Sequence, residues 1–482
     1  NNTVYKNGEV PSDDDADWGS YGVNWKDALT VSRQKYTGIV VHSSTGVKVY
    51  NNISCAKNSS DKSFVLYTES GWPTSTADWG NNLPCNGTSV SSSNISSESW
   101  LTQTDPLFND PTNNSLGIRD YTLNVGSPAI DAGNNLYATS NDINNISRPQ
   151  GSSPDLGAYE HQNTWTGSSG TDWSTTNNWS TNFIPTSDRS PIIPDVTNQP
   201  VISGDDGSNG VVTLKDITIK SGAELTLNKD ASLTISGNLI NNSTVTLNSD
   251  SNEFSSLIVH GTSSGNITYN RYVNALSGGS GWDLIGSPVS GLQISSFVST
   301  NDAGSSPLAT GNGSGAGANG EYAIGTYDPS NNSWSNYTSA NVSTTQFTPG
   351  KGYQMATDSG ATLAFTGTVN TDATETISIE SFTDASGSHW NLISNPYPSF
   401  ITIGPNSTTD TFLEVNDDVI HATYVGVYGY DADNSNGSNY TIYNNTSSSK
   451  IAPGQGFFVA ARSTSAANIT FKEEMQTTST GD

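Results

Sequence analysis

The sequence contains a Gly-x-Ser-x-Gly pentapeptide, the pattern that places a nucleophilic serine on a sharp turn between a strand and a helix. It reads GTSSG, from Gly261 to Gly265, and His260 precedes it directly. The residues that follow, ITY at 267–269, alternate as a strand does, and no helical pattern comes after them. We therefore interpret GTSSG as a turn between two strands, and the sequence predicts no catalytic residue.

A second kind of chemistry, calcium binding, is indicated by a short acidic loop. DADNSNG, from Asp431 to Gly437, spaces side-chain oxygens at alternate positions, as calcium loops do. Asp431 and Asp433 are therefore candidate ligands of Ca²⁺, although the loop lacks the later bidentate glutamate. The alternative is a solvated turn. The same two interpretations apply to the acidic run SDDDADWG, which includes Asp13 to Asp17.

The histidines are scattered singly along the sequence, at positions 42, 161, 260, 389 and 421, and we predict surface or packing roles for them rather than metal ligation. The two cysteines, Cys55 and Cys85, are a candidate disulfide. In an extracellular protein such a bond would close a loop of about thirty residues and stabilise the fold by about 3 kcal/mol. The sequence alone leaves open whether the two side chains meet.

The elements that position these residues are predicted to be strands. Of the 482 residues, 32% are hydrophobic and 13% are charged, and there are 46 glycines and 20 prolines. Such a composition, rich also in Ser, Thr, Asn and Tyr, is typical of many short strands joined by polar turns. Since no long segment repeats apolar residues at the helical period, we predict an all-β protein.

The charge excludes some partners. The chain has 18 basic and 45 acidic side chains, a net charge of −27. A field of that sign repels phosphate backbones, so we predict no nucleic-acid partner, and the acidic excess indicates either solubility or divalent-cation binding. No stretch approaches the ~18 apolar residues of a membrane span. Asn1 begins no signal-peptide pattern, and we expect a mature or trimmed product that has lost an export signal.

Short apolar pairs around a central threonine recur in the middle of the chain. The tripeptides ITI, LTL, LTI and VTL begin at 217, 225, 233 and 245, and LIV and ITY follow. Because side chains of a strand alternate between its faces, the apolar pair should point inward and the threonine outward. The pattern predicts a short β-solenoid or a small stacked sheet.

Three tryptophans precede these tripeptides. Trp165, Trp173 and Trp179 lie among small polar residues. They predict a cap packed over an open β end, and the alternative is an exposed platform for stacking sugars.

Two aromatic phrases occur twice, in the same order. GWDLIGSPVSGL (281–292) returns as HWNLISNPYPSF (389–400), with Trp390 following Trp282 by 108 residues. FTPGKGYQMA (347–356) returns as IAPGQGFFVA (451–460), an offset of 104. This is the signature of a tandem duplication, and each copy has the length of a β-sandwich. We expect Trp282 and Trp390 to seed the two cores.

The N-terminal part resembles a known family. DPLFNDPTNNSLGIRDYTLNVGSPAIDAGNN (105–135) and RPQGSSPDLGAYEHQ (148–162) are similar to the closing turns of pectate-lyase-like right-handed parallel β-helix proteins. Leu107, Phe108, Leu123 and Leu156, each close to turn-forming residues, are predicted to point into the coils.

The duplicated part resembles another group. WNLISNPYPS and IAPGQGFFV are similar to modules that precede the C-terminal sorting domain in secreted Bacteroidota proteins of the type IX secretion system. The resulting expectation is the end of a parallel β-helix at 1–162, a Trp-rich cap with a short β-solenoid at 163–271, and β-sandwich repeats at 272–372 and 373–482.

These resemblances imply an extracellular protein at the cell surface, which meets the secretion machinery in transit. The favoured hypothesis is a non-catalytic adhesin or stalk-like segment that contacts glycans or other surface components through exposed Trp or Tyr. One alternative is the C-terminal part of a polysaccharide lyase or hydrolase whose active coils lie upstream. The other is a mechanical spacer or a self-associating filament unit. Ca²⁺ is the cofactor that the sequence indicates.

Overall fold

The structure is a computed structural model of the chain. The described residues are 3–5, 36–42, 47–55, 62–67, 77–85, 104–110, 120–124, 126–204, 210–276, 281–301, 321–342, 345–382, 387–405, 410–430 and 440–478. Within them the chain is all-β, as the composition predicts. It divides into two compact units, one comprising 1–164 with 179–191 and the other comprising 165–178 with 192–482.

The N-terminal unit consists mainly of parallel strands. Its strands are β1 Thr3–Tyr5, β2 Tyr36–His42, β3 Val47–Tyr50, β4 Ile53–Cys55, β5 Lys62–Tyr67, β6 Ala77–Gly80, β7 Leu83–Cys85, β8 Phe108–Asp110 and β9 Asp120–Leu123. β1, β4 and β7 form one parallel sheet, while β2 pairs with β5 and β3 with β6. β8 and β9 form an antiparallel pair, and the pairs β3·β6 and β4·β7 repeat at an offset of thirty residues. This stacking of successive coils is that of a parallel β-helix.

Cys55 and Cys85 lie opposite each other on β4 and β7, with their Cα atoms 4.4 Å apart, and a disulfide joins them. They belong to a buried cluster with Ile53, Leu83, Phe108, Leu123 and Leu156. The inward position predicted for Leu107 is wrong. Leu107 is exposed and has a left-handed φ of 51°, which turns its side chain away from the coil.

An asparagine ladder forms one corner of these coils. Asn51 and Asn81 have φ values of 59° and 47°, a region that asparagine tolerates better than most residues. The next residues, Asn52 and Asn82, are buried, and Asn82 Oδ1 accepts hydrogen bonds from both the backbone N–H and the Nδ2 of Asn52 at 3.0 Å. Asn52 Nδ2 also donates to Tyr50 O and Asn82 Nδ2 donates to Val49 O, so both buried amides are satisfied at the corner.

In the second unit the threonine tripeptides form a β-solenoid of about three turns. Its strands are β10 Ile192–Ile193, β11 Val201–Ile202, β12 Val211–Leu214, β13 Ile217–Ile219, β14 Glu224–Leu227, β15 Ser232–Ile235, β16 Leu239–Asn241, β17 Thr244–Asn248, β18 Ser256–Val259, β19 Ser263–Ser264 and β20 Ile267–Val273. The apolar pairs are buried and the central threonines partly exposed, which confirms the predicted alternation.

The last solenoid strand also begins the duplicated region. β20 pairs in parallel with β17 on one side and antiparallel with β25 on the other. The strands that follow β20 are β21 Asp283–Ile285, β22 Glu321–Asp328, β23 Ser333–Thr338, β24 Tyr353–Met355, β25 Ala361–Gly367, β26 Thr374–Ile379, β27 Trp390–Ser394, β28 Phe400–Thr402, β29 Val427–Tyr430, β30 Tyr440–Tyr443, β31 Lys450–Ile451, β32 Gly456–Ala460, β33 Ala467–Lys472 and β34 Gln476–Thr477.

The duplication predicted from the repeated phrases has a structural counterpart. We call residues 267–367 the first module and residues 374–477 the second module. The sheet order β21-β24-β22-β23 of the first module is repeated as β27-β32-β29-β30 in the second. The antiparallel pair β20·β25 likewise corresponds to β26·β33. Short helices α1 (Ile294–Asn301) and α2 (Phe412–Val415) occupy matching places, and among the described residues no helix has the length and apolar character needed to cross a membrane.

The expectation that Trp282 and Trp390 seed the module cores is wrong, because both are only half-buried and Trp282 packs on a small separate cluster with Ala323 and Ala356. The core of the second module includes Tyr397, Phe412, Phe457 and Phe471. Trp390 is half-buried on the opposite face of β27, where it packs with Leu392 and Phe458. Strand alternation explains the error, because Trp390 and Leu392 share one face while Ile393 faces the core.

The two modules contact each other through the repeated phrases themselves. The Gly286 N–H donates to Gly454 O at 2.7 Å, and the equivalent Ser394 N–H donates to Gly350 O at 2.8 Å. Gly350 and Gly454 belong to the Pro-Gly turns and have φ values of 74° and 64°, the left-handed region that favours glycine. The interface is therefore isologous, like that of a symmetric dimer joined into one chain.

Candidate ligand-binding cleft

A cleft of about 470 Å³ opens between the two modules, a volume within the range of small-molecule sites. It is lined by aromatic rings, one aliphatic side chain and one amide: Tyr327, Asn332, Trp334, Trp390, Tyr428, Tyr440, Ile442 and Phe458. All these residues belong to the duplicated region, and both modules contribute to the walls.

The second module supplies the outer face of its four-stranded sheet. In register across that sheet, Leu392 lies opposite Phe458, Phe458 opposite Tyr428, and Tyr428 opposite Ile442. Residues directly opposite each other share a face, so this row forms one continuous apolar surface. Tyr440, on the edge strand β30, and Ile442 are 44% and 57% exposed.

The first module supplies the hairpin of β22 and β23. Tyr327 and Trp334 are cross-strand partners on this hairpin, and the Tyr327 hydroxyl donates to Asn332 Oδ1 at 2.7 Å. Both rings meet the ring of Phe458 edge-on, at centroid distances of 5.2 Å and 6.2 Å. Phe458 is thus the buried floor of the cleft, whereas Trp334 remains 41% exposed at its rim.

The aromatic surface is not required by the fold of a module. The first module has Gln354 where the second has Phe458, and there the Gln354 Nε2 donates to Asn336 Oδ1 at 2.8 Å. A Cβ on Gly325, which lies between them, would overlap both side chains. The same sheet positions are therefore polar and closed in one copy, but aromatic and open in the other.

The described residues that line the cleft are all uncharged, although the whole chain has a net charge of −27. Burial raises the pKa of Tyr428 and of Tyr440 above the usual value for tyrosine. Both phenols therefore remain protonated and able to donate hydrogen bonds at neutral pH.

The structure places the serine motif away from this cleft, in the solenoid. Ser263 lies in the short strand β19, which pairs in parallel with β16 and is followed along the chain by another strand, β20. A nucleophile elbow would require a helix after the serine, so the local geometry is not that of an elbow. His260 Nδ1 contacts Glu473 Oε1 at 2.5 Å rather than a serine.

Two of the histidines pack against each other. The rings of His389 and His421 are 5.3 Å apart. Their approach could not be read from sequence, because the two residues are 32 positions apart and are brought together by the pairing around Ala461. The Thr423 N–H donates to His421 Nδ1 at 3.2 Å, which leaves the proton of the neutral ring on Nε2 and is unfavourable for metal ligation.

Asp431 and Asp433, the candidate calcium ligands, lie outside the described residues, as do Asp13 to Asp17. Within the ranges that the structure describes, no three His, Cys, Asp or Glu side chains are grouped so that they could hold a metal ion.

The acidic residues of the β-helix motif converge in the N-terminal unit. Glu160 accepts hydrogen bonds from the backbone N–H groups of Gln150 and Asp155 and pairs with Arg148 at 2.9 Å, with both charged side chains buried. Asp155 in turn accepts from the Asp131 N–H at 2.8 Å. Burial raises the pKa of Glu160 to about 7 and also raises that of Asp155. The motif therefore holds a turn together.

Trp165, Trp173 and Trp179 are buried, each at most 1% exposed, so they do not offer a platform for sugars. Trp165 and Trp173 stack at 6.3 Å, and their backbone N–H groups donate to Ile192 O and Val201 O in the first solenoid coil.

The residues of the cleft were missed by sequence reasoning. The available signal was the alternation Tyr440-x-Ile442 beside Tyr428-x-Tyr430, which leaves apolar side chains on a second face of a strand pair whose first face is the core.

No curated protein and no solved structure matches the chain. Residues 164–482, about two thirds of the sequence, match the model of a family described as a domain of unknown function, DUF8693. This region contains the solenoid, both modules and the whole cleft. The chain therefore belongs to the DUF8693 family.

Proposed function

We propose that this chain is a non-catalytic extracellular surface protein that attaches to neutral carbohydrate through the cleft between its two modules. The observation that carries the proposal is the difference between the copies. Where the first module has the hydrogen-bonded side chains of Gln354 and Asn336 beside Gly325, the second has Phe458, Ile442 and Tyr428. Since the first module folds without these apolar side chains, packing within a module does not explain them.

The composition of the cleft favours sugars over other small ligands. Aromatic rings stack on the apolar faces of a sugar ring, while phenol and amide groups can bond to its hydroxyls. Tyr428, Tyr440 and Asn332 supply such polar groups beside the rings. An acidic polysaccharide is disfavoured because none of the lining residues that the structure describes carries a compensating charge and the chain is strongly acidic.

The test is binding of the full chain to immobilised neutral polysaccharides, with pectate and alginate as acidic counterparts. Trp334→Ala removes an exposed ring from the rim and should weaken binding about tenfold or more, as truncation of a hot-spot aromatic does. Ile240, an apolar residue on the solenoid, is similarly exposed, so Ile240→Ala is the matched control and should leave binding unchanged. Retention of acidic polysaccharides alone, or equal binding by both variants, contradicts the proposal. Release of sugar products would favour an enzyme instead.

A further inference from the structure

An aromatic path continues outward from the cleft. Trp390, which lines the cleft, contacts Tyr428 inside it at a centroid distance of 4.5 Å. Its ring also lies 5.6 Å from Tyr424, which is outside the lining and is 41% exposed. Tyr424 is followed by His421 at 5.0 Å and then by His389 at 5.3 Å. Consecutive ring centroids along this path are 4.5 to 5.6 Å apart, and Tyr424 is its exposed member.

The outer part of this path is held in place by its own hydrogen bonds. The His421 N–H donates to Ala460 O at 2.8 Å, and the Tyr424 N–H donates to His421 O at 2.9 Å, which closes a turn that presents the tyrosine. His389 Nδ1 and Ser381 Oγ share a hydrogen bond of 2.5 Å. The turn that carries Tyr424 and the ring of His389 are therefore fixed before any ligand arrives, which lowers the entropic cost of binding.

From this path we propose that the ligand is a chain of neutral sugars, bound along its length, with an outer subsite formed by Tyr424 and His421 beside the cleft. The inference rests on the proposed function and specifies its ligand. A single sugar would fit within the cleft and would make no contact with the rings of Tyr424 and His421. A flat protein partner is disfavoured, because the path begins in a concave site of small-molecule size. Trp390 is the side chain shared by both parts of the site.

The experiment is calorimetric titration of the full chain with cello-, laminari- and manno-oligosaccharides of increasing length, from disaccharide to hexasaccharide. The series that binds should gain about tenfold in affinity once it is long enough to reach Tyr424, as expected when a second contact is added to a tethered ligand. Tyr424→Ala should abolish this gain and leave the affinity for the disaccharide within about twofold of wild type. Tyr424→Phe, which keeps the ring, should retain the gain.

The outcomes separate the two proposals. If short and long oligosaccharides bind equally, or if Tyr424→Ala leaves the gain intact, the outer subsite is wrong while carbohydrate binding by the cleft stands. If no neutral oligosaccharide of any length binds, the proposed function fails, and the subsite fails with it. Ile240→Ala serves again as the exposed control, and an unchanged unfolding temperature of each variant shows that the fold is intact.

Discussion

Gly286 lies directly against Ser394, its own counterpart in the second module, and a Cβ on Gly286 would overlap the Ser394 hydroxyl. The two residues occupy the same place in the repeated phrases, and the modules meet at this place. A side chain can be accommodated there from one module only. The duplicated sequence had to diverge at this position because its two copies face each other.

This contact predicts that the two residues can be exchanged but not both enlarged. Gly286→Ser alone should lower the free energy of unfolding by about 1–3 kcal/mol, the usual cost of overpacking. Adding Ser394→Gly should recover most of that loss, because the new serine can donate to Gln455 O as Ser394 now donates to Lys351 O. Chemical denaturation of the two single variants and the double variant gives the coupling energy. Additive losses would contradict the isologous arrangement.

Binding in the cleft should not depend on pH over a wide range. Burial raises the pKa values of Tyr428 and Tyr440, so both stay protonated from about pH 5 to about pH 9. The affinity for a short neutral oligosaccharide should therefore be constant across that interval when it is measured by calorimetry. A steep change would indicate that an ionisable group outside the lining residues takes part.

The N-terminal unit should be more stable in mild acid than at alkaline pH. The pKa of Glu160 is raised to about 7 in the fold, against 4.5 for a free glutamate, so the folded state holds this proton more tightly. Its contribution is present below pH 4.5 and is lost as the pH rises through about 7. Burial raises the pKa values of Asp155 and Asp131 in the same sense, whereas it lowers the pKa of His161, which acts in the opposite sense.

The measurement is the hydrogen-exchange protection of the Gln150 and Asp155 amides, which donate to Glu160. Protection should fall between about pH 5 and about pH 8 in the wild type, and the fall should be smaller in Glu160→Gln, whose side chain does not titrate. The difference between the two proteins removes the contribution of His161. A fall of the same size in the wild type and in Glu160→Gln would contradict this and would show that Arg148 keeps Glu160 ionised throughout.

Removal of the disulfide should destabilise the N-terminal unit alone. The bond joins residues 30 positions apart, and in the chain-entropy model a loop of that length contributes about 3–4 kcal/mol. Cys55→Ser combined with Cys85→Ser should lower the free energy of unfolding of this unit by about that amount, and reduction of the wild type should have the same effect. Exchange at Leu225 and Leu233, in the solenoid of the other unit, is the internal control and should not change.

The strand pattern was predictable where one face is buried and the other solvated. The pair Leu225 and Leu227 around Thr226 could be assigned because alternation fixes which side chains point inward. The pairing of Cys55 with Cys85 was also within reach, since NNISC and NNLPC repeat at an offset of thirty residues. That repeat implies that the second coil lies on the first, with equivalent residues in register.

The cleft could not be predicted, because it depends on two surfaces that meet only after folding. Trp390 looks like a core residue in sequence, and only the register of β27 with β32 shows that its face lies outside the core. Tyr327 and Trp334 come from a hairpin far from Phe458 along the chain, and the interface at Gly286 decides which surfaces they meet. To decide whether an aromatic residue packs in the core or lines a site, one must therefore know which strand pairs with its own and in which register.

Strand β20 belongs both to the solenoid and to the first module, and this has a mechanical consequence. Seven residues of this strand, Ile267 to Val273, pair with β25, and the same strand is bonded to β17 of the solenoid. From its middle, the Arg271 Nε reaches Pro453 O in the second module at 3.0 Å. Tension applied to a ligand in the cleft would therefore reach the solenoid through the Arg271 contact and through β20, and separation of the modules from the solenoid would require β20 to shear from β17.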